Sequence, residues 1–332
     1  MLDEKTQALE AQFVASEVNR LGSEKSTDFS LATYRDFVVR SKVGFRYILY
    51  KMRRESQAIM VKSEKEAFVN SGKKPNIEFC GKNIKYQTEA VELVLNDKKL
   101  PCFRNLAMCG LVWRCPICSM KILQGRSEQL SDILIEHEKT GNKTGFITLT
   151  IPHTKKDTLK ETLDKINDNY RRFQQTRWFR NHKKNIIGQV KALEITYTNQ
   201  NGWHPHLHIL YFYKTHNVNQ IQSFQKELVS KWVDFRDNNA RLVGQDYQLC
   251  YNNSIDSYVS KWDIIKEVTA VNVKKSKGFT PFQALKRLVI KDYSNFNQRF
   301  FLVERFREYS ETTKGKHRLS ISPNLFKEYP RG

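Results

Sequence analysis

The sequence predicts an α+β fold in which an antiparallel sheet has helices packed on one face. Three segments rich in β-branched and aromatic residues, 145–153, 186–198 and 203–213, have the composition of strands. The run NQNG at 199–202 is a turn signal between the last two. Between the strands, apolar residues recur at helical intervals. This order indicates a layer of helices against hairpin-paired strands.

Four regions are expected along the 332 residues. Residues 1–75 predict an N-terminal helical region, and residues 76–140 a cysteine-rich segment followed by a helix. Residues 141–272 carry the order β-α-β-β-α-β-α and form the central domain. Residues 273–332 form a basic C-terminal region that is helical in its first half. In the central domain we expect helices at 155–184, 217–237 and 254–268, and a further strand at 246–251.

The net charge of the chain indicates a polyanionic partner. There are 56 Lys and Arg against 35 Asp and Glu, which gives +21. An excess of this size produces a strong positive field, for which nucleic acid is the commonest partner. The start MLDEKTQALE is too polar for a signal peptide, and no run of about 18 apolar residues could span a membrane. We therefore expect a cytoplasmic protein without a membrane partner.

The segment WHPHLHIL carries three histidines on alternate positions. Alternate side chains of a strand point to one face, so His204, His206 and His208 form a row. Pairing about the turn brings Glu194 opposite this row. Glu194 shares the face of the histidines if the numbers of directly paired residues add to an even sum. Two imidazoles and a carboxylate suit Mg²⁺ or Mn²⁺ at a phosphodiester, or Zn²⁺ at a peptide, although no H-E-x-x-H helix supports a protease. We expect His206, His208 and Glu194 to be the ligands. We expect His204 to contribute less than the other two histidines, because Pro205 follows it and would displace it from the metal face.

The segment SIDSYVSKWDII supplies a candidate nucleophile. Tyr258 and Lys261 are three residues apart and share one side of the predicted helix. A tyrosine hydroxyl has a pKa of about 10, but a metal ion that polarises the target phosphate lowers the demand on the nucleophile. Lys261 would stabilise the phenolate or orient the phosphate. The alternative is a core aromatic, since apolar residues recur around Tyr258 at helical spacing, although lysines are rarely buried.

Five of the six cysteines lie in the second region. Cys109, Cys115 and Cys118 have the spacing C-x5-C-x2-C, which is typical of a structural zinc site and calls for a fourth ligand. Both Cys80 and Cys102 are available. We favour Cys80, because the glycine that follows it would let the backbone turn around a metal ion.

The segment YRRFQQTRWFRNHKK at 170–184 combines basic and aromatic residues without an acid. Cations neutralise phosphates and aromatic faces stack on unpaired bases, so the segment predicts a path for single-stranded DNA. Its aromatic residues also suit the buried side of a helix, with the arginines on the solvated side. The expected DNA-binding residues are Arg171, Arg172, Arg177, Arg180, Lys183 and Lys184.

Several of these motifs, in this order, resemble the single-tyrosine rolling-circle replication initiators of small bacterial plasmids, which belong to the HUH endonuclease superfamily. FITLTIP resembles the first strand motif of that family, and ALEIT with GWHPHLHIL resembles the metal motif with His206 and His208 as its paired histidines. YVSKW resembles the tyrosine motif with Tyr258 and Lys261. CGLVWRCPIC resembles the cysteine motif, to which Cys80 would belong as an upstream Cys-Gly, and TKGKHRLSISPNL resembles the C-terminal stretch.

This resemblance implies an HUH endonuclease domain with a zinc-binding cysteine subdomain, and a metal-dependent nicking and closing reaction. Tyr258 would attack single-stranded origin DNA, form a 5′-phosphotyrosine link and release a 3′-OH that primes rolling-circle synthesis. The implied cofactors are Mn²⁺ or Mg²⁺ for catalysis and Zn²⁺ for structure. Some relatives carry a glutamate four residues before the tyrosine for termination, whereas this chain has Ser254, with Asp256 and Asp263 nearby.

The expected partners are single-stranded and hairpin origin DNA, the bacterial host's helicase and polymerase, and a second copy where the protein acts as a homodimer. Two other functions stay open at this point. One is a related HUH relaxase or transposase with the same chemistry. The other is a noncatalytic zinc-dependent DNA-binding protein.

Overall fold

A computed structural model describes residues 47–60, 76–95, 101–250 and 278–330, apart from positions 86 and 237. The elements of the first half are α1 (47–60), α2 (Asn76–Phe79), β1 (Glu92–Leu95), β2 (Pro101–Arg104), α3 (Pro116–Lys139), β3 (Thr144–Leu149), α4 (Leu159–Phe173) and α5 (Arg177–Lys183). Those of the second half are β4 (Ile186–Thr198), β5 (Gly202–Tyr213), α6 (Val218–Val233), β6 (Asp246–Cys250), α7 (Pro281–Val289), α8 (Phe296–Thr312), β7 (Leu319–Ile321) and α9 (Pro323–Glu328).

A five-stranded sheet forms the centre of the described chain. Its strand order is β6-β3-β5-β4-β7, and every neighbouring pair is antiparallel. The hairpin of β4 and β5 closes between Thr198 and Gly202, as the NQNG signal predicts. Gly202 has a φ of +75°, a backbone conformation that favours glycine. The predicted strand 186–198 is confirmed at both ends.

The single helix predicted over 155–184 is wrong, because two helices occupy this stretch. The first, α4, begins at a capping box in which Thr158 and Glu161 satisfy each other's backbone N–H groups. The second, α5, begins after Thr176, whose hydroxyl accepts a hydrogen bond from the backbone N–H of Phe179. A threonine in this position caps a new helix, so the chain changes direction between Phe173 and Arg177.

Helices α4 and α6 cover the face of the sheet that carries Leu207, Ile209 and Tyr211, called here the apolar face. The hydroxyl groups of Tyr170 on α4 and Tyr211 on β5 lie 2.9 Å apart, and both residues are buried. On α6, Trp232 is fully buried and donates from Nε1 to the backbone oxygen of Thr150 at 3.0 Å. Large aromatic side chains therefore fill the layer between sheet and helices.

The expectation that helices lie on one face only is also wrong. The opposite face, which carries His204, His206 and His208, is called here the histidine face. Toward its other end, the ring of His137 on α3 lies 5.0 Å from that of Phe212. Leu325 on α9 packs so closely over Gly188 that a Cβ there would lie 2.7 Å from its Cγ. Helices cover this end because Phe212 and its neighbours are apolar and must be removed from water.

The C-terminal region, expected as a separate basic segment, contributes to the central sheet. Strand β7 pairs with β4 through Val190 and Ala192, and Phe279 pairs with Tyr197 in an isolated bridge. The described residues share one continuous hydrophobic core that includes residues of α3, α7, α8 and α9. The predicted helix 254–268, with Tyr258 and Lys261, and the expected helices before residue 47 lie outside the described residues. In the part of the chain that is described, no helix has the length and apolar character that crossing a membrane requires.

Leu325→Ala should lower the free energy of unfolding by about 2–5 kcal/mol, because a fully buried leucine over Gly188 would leave a cavity. Chemical denaturation monitored by circular dichroism measures this change. Leu242→Ala is the matched control, since Leu242 is 63% exposed and its loss should change stability by less than about 0.5 kcal/mol. Equal midpoints for the two variants would show that α9 does not contribute to the core.

Candidate metal sites

The pairing of β4 and β5 brings Glu194 and the histidine row onto the same face. Glu194 lies directly opposite His206, and Ala192 lies opposite His208. The residue numbers of each such pair add to an even sum, which is the condition under which the sequence placed Glu194 on the face of the histidines. The Oε2 atom of Glu194 lies 2.8 Å from Nε2 of His208, so the carboxylate reaches diagonally along the hairpin.

His208 is held from two sides. Its Nδ1 atom lies 3.0 Å from the hydroxyl oxygen of Thr148 on β3, the residue directly opposite it, and its ring stacks on Phe146. When Nε2 donates to Glu194, Nδ1 accepts a hydrogen bond from the Thr148 hydroxyl. With a cation bound at Nε2, the ring proton would be on Nδ1, which would donate to the hydroxyl oxygen of Thr148 and keep the same ring orientation. Such a partner on the second nitrogen is the usual way in which proteins orient a metal-binding histidine.

The charge states at this site suit a cation. Burial by itself raises the pKa of Glu194, but the hydrogen bond and the charge of His208, followed by the charges of His206 and Arg318, lower it to about 2. Burial lowers the pKa of His206 to about 3. An ionised carboxylate beside a neutral imidazole at pH 7 is a donor set for a divalent ion.

A fourth histidine, His153, joins the row and was missed by the sequence analysis. Its ring lies 4.4 Å from that of His204, which in turn stacks on His206 at 4.1 Å. Nε2 of His153, Nε2 of His204 and Nδ1 of His206 are buried without a hydrogen-bond partner among the described residues. The signal was present in the sequence, because His153 ends the strand-like run FITLTIPH beside the metal-like motif. His204 therefore stays beside the row despite the proline that follows it.

The histidine row does not converge on one point. Of the His, Cys, Asp and Glu residues in the described ranges, only the four cysteines discussed below form a group with all ligand atoms within 4.8 Å of one another. The rings of His206 and His208 are nearly parallel, with centroids 5.9 Å apart. An ion bound by His206, His208 and Glu194 therefore requires small side-chain movements. The free Nδ1 of His206 and the Glu194 carboxylate are compatible with such a site.

The structure does not bring the predicted DNA-binding residues to the histidine face. Those residues, Arg171, Arg172, Arg177, Arg180, Lys183 and Lys184, lie on or directly after α4 and α5. Both helices pack on the apolar face, α4 through Tyr170 and α5 through Phe179, whose ring is 6.4 Å from that of Tyr211. The sheet therefore stands between this basic segment and the histidines.

The aromatic residues of this segment belong mainly to the core. Tyr170, Phe173 and Phe179 are buried, and the ring of Trp178 stacks on Phe224 with an angle of 4° between the planes. These aromatic residues therefore form the buried side of the helices, which was the alternative interpretation of the segment, and their rings are not available for stacking on bases.

The cysteine cluster brings together Cys80, Cys109, Cys115 and Cys118, all as free thiols. The Sγ atom of Cys80 lies 3.7 Å from that of Cys115 and 3.6 Å from that of Cys118, and Cys109 lies 3.5 Å from Cys118. Zn–S bonds of about 2.3 Å in a tetrahedron would put sulfur atoms roughly 3.8 Å apart. The four sulfur atoms thus have the spacing that a tetrahedral metal ion requires.

The alternative fourth ligand, Cys102, has its backbone in the β1–β2 hairpin opposite Val94, and its side chain is outside the described part of the chain. Hydrogen bonds among the four thiols, first of all with Cys109, lower the pKa of Cys80 and Cys118 and raise that of Cys115. The close approach of the four sulfur atoms, and not the titration of any one thiol, is what suits a metal ion.

Long-range hydrogen bonds attach the cysteine segment to the rest of the protein. Ser56 on α1 donates to the backbone oxygen of Arg114 at 2.6 Å. Trp113 donates from Nε1 to the backbone oxygen of Lys316 at 2.6 Å, and Arg114 donates to that of Ser310 at 3.1 Å. The loop that carries the cysteines is therefore fixed between α1 and the end of α8.

The fold and these sites define a basic α+β protein with two candidate metal centres, one on a β-hairpin and one in a cysteine loop. A model of the Rep_1 family, described as replication protein, matches residues 103–292. The match covers more than half of the chain, which therefore belongs to the Rep_1 replication protein family.

Three relatives are similar to parts of this chain. One named "Protein rep" from Streptomyces lividans is 28% identical over 32% of this chain and 29% of its own length. Another "Protein rep", from Lentilactobacillus hilgardii, is 33% identical over 30% of this chain and 32% of its own length. A "Neomycin resistance protein" from Streptomyces cyanogenus is 26% identical over 32% of this chain and 30% of its own length. The matches thus span about a third of the length of these relatives. No solved structure matches significantly.

Cys80→Ser should remove most of the metal that co-purifies with the protein, at about one ion per chain, because a tetrahedral site loses one of its four ligands. Elemental analysis of freshly purified, reduced protein measures the content. Cys102→Ser is the matched control and should keep the metal. Loss of metal in Cys102→Ser with retention in Cys80→Ser would reverse the assignment.

Proposed function

We propose that this protein initiates plasmid replication by nicking one strand of origin DNA through Tyr258. The observation that carries the proposal is the family match over residues 103–292, which includes the cysteine loop, the histidine row and the tyrosine motif. The cross-strand pairing of Glu194 with His206 supports it, since it puts a carboxylate and imidazoles on one face within that range. The net charge of +21 suits a DNA substrate.

In this proposal His206, His208 and Glu194 hold Mn²⁺ or Mg²⁺, with Thr148 fixing the ring of His208. When bound, such an ion acts as a Lewis acid that polarises a phosphate oxygen. Tyr258 supplies the nucleophile. Its Oη atom forms a bond to phosphorus while the bond from phosphorus to the 3′-oxygen breaks, the phenol proton passes to solvent, and the released 3′-oxygen takes up a proton. Lys261 stabilises the phenolate or orients the phosphate.

The product is a 5′-phosphotyrosine link and a free 3′-OH, which is the primer that rolling-circle synthesis requires. The reaction conserves the energy of the phosphodiester, so the same protein can later close the strand. The host helicase and polymerase would act on this covalent complex, and a homodimer would offer a second tyrosine for closing.

For the cysteine cluster we propose Zn²⁺ with a structural role. Four thiolates and no open ligand position are typical of a structural zinc site. The ion would fix the loop on which Trp113 and Arg114 reach the C-terminal residues. Loss of zinc should therefore lower stability and solubility before it changes the chemistry.

Tyr258→Phe should abolish the covalent adduct with single-stranded DNA from the protein's own replicon, because phenylalanine keeps the ring and removes only the hydroxyl. Denaturing gel electrophoresis of labelled DNA after incubation with Mn²⁺ measures the adduct. Tyr251→Phe is the matched control and should form the adduct normally. Absence of any adduct with the wild-type protein would contradict the proposal and favour a noncatalytic DNA-binding protein.

Thr148→Val should weaken Mn²⁺ binding about 10- to 100-fold, because His208 loses the hydroxyl partner that orients its ring. Calorimetric titration of the zinc-loaded protein with Mn²⁺ gives the affinity. Thr196→Val removes a hydroxyl from the same face, whose contact with the backbone oxygen of His204 is long at 3.4 Å, and should leave the affinity unchanged. Equal effects of the two variants would remove Thr148 from the site.

A further inference from the structure

We propose that residues 154–157, called here the lysine loop, bind phosphates of single-stranded DNA through Lys155 and Lys156. The inference rests on the proposed function and extends it, because it says where the substrate strand lies. It also moves the strand away from residues 170–184, which the sequence indicated.

The lysine loop lies at the end of the histidine face. The residue before it, His153, has its ring 4.4 Å from that of His204. The loop also crosses the hairpin turn, because a Cβ on Gly202 would lie 3.0 Å from the Cα atom of Lys155. Gly202 and His204 are two positions apart on β5, so this Cβ would point to the histidine face. The loop is therefore beside the histidine row and on its side of the sheet.

The conformation of the loop is set by its own polar groups. Oδ2 of Asp157 accepts hydrogen bonds from the backbone N–H of Thr154 at 2.6 Å and from its hydroxyl at 2.9 Å. These two bonds lower the pKa of Asp157. The single acid of the loop is thus committed to the backbone of Thr154. Lys155 and Lys156 are both exposed, and no ion pair of either is found among the described residues.

A third basic residue, Arg241, lies in the segment that packs near the end of β3. Arg241 is exposed, and its backbone oxygen accepts a hydrogen bond from Nε2 of Gln245 at 3.1 Å. The same Gln245 side chain accepts from the backbone N–H of Thr150 at 2.8 Å. Thr150 directly follows β3 and precedes the lysine loop by four residues. The backbone of Arg241 therefore lies near the end of β3, from which the chain leads to the lysine loop.

The basic residues on α4 are less suited to this role. Arg171 and Arg172 both bind the carboxylate of Asp168, at 2.6 Å and 2.5 Å, so one acid offsets part of their charge. They also lie on the helix layer that covers the apolar face. A strand bound there could not place its phosphate near Glu194 and His208 without passing around the edge of the sheet.

The test compares two double variants that remove the same charge from opposite faces. For single-stranded DNA the slope of log affinity against log salt is about −0.7 per phosphate contact. Lys155→Ala with Lys156→Ala should therefore flatten the slope by about 1.4. Arg171→Ala with Arg172→Ala should leave it unchanged. The probe is a fluorescein-labelled oligothymidylate, measured by fluorescence anisotropy over a salt series with the zinc-loaded full chain.

Circular dichroism verifies that each variant is folded, and Lys155→Gln with Lys156→Gln replaces the alanine variant if that one is not. An unchanged slope in the lysine variant, or an equal flattening in the arginine variant, overturns the inference. Adduct formation by the wild-type protein is measured separately. If the wild-type protein forms no adduct but the variants show the expected slopes, the nicking proposal is contradicted and DNA binding by the lysine loop is still supported.

Discussion

The register of the β4–β5 hairpin is the constraint on which the candidate site depends. Because side chains alternate along a strand, a shift of one residue would turn Glu194 away from the histidines and bury it among the aromatic residues of the apolar face. The glycine with positive φ at the hairpin turn and the apolar residues Leu207, Ile209 and Tyr211 all favour the observed register. The same alternation thus builds the core on one side and the donor set on the other.

The two faces of the sheet have different roles, one in core packing and one in the candidate metal site. On the apolar face, α4 and α6 bury tyrosine and tryptophan side chains whose polar atoms find partners within the layer, as in the contact between Tyr170 and Tyr211. On the histidine face, α3 and α9 pack at the end marked by Phe212 and Gly188. Toward the other end, imidazole nitrogens that are buried without a partner among the described residues carry an energetic cost of about 1–3 kcal/mol each. Such a cost is compatible with a site that binds an ion or a substrate.

The cysteine loop depends on a different kind of constraint. A stretch with little apolar core of its own needs a cross-link to keep one conformation, and a metal ion held by four sulfur atoms can supply it. Hydrogen bonds from Ser56, Trp113 and Arg114 then join this loop to α1, to the last turn of α8 and to the residues after it. The N-terminal and C-terminal parts of the described chain thereby meet around the cluster.

The sequence by itself determined the strands at 186–198 and after the NQNG turn, the shared face of the three histidines, and the cysteines that form a cluster, but it left open whether Glu194 joins that face. These features depend on local periodicity and on ligand spacing, which a single sequence displays. Tertiary structure decided what depends on distant parts of the chain. It put helices on both faces, divided 155–184 at Thr176, added β7 to the sheet and brought His153 beside His204. It also placed Arg171 and Arg172 on the side of the sheet opposite the histidines, because the buried side of α4 packs on the apolar face. The local pattern of a basic segment does not predict which face of a sheet its helix will cover.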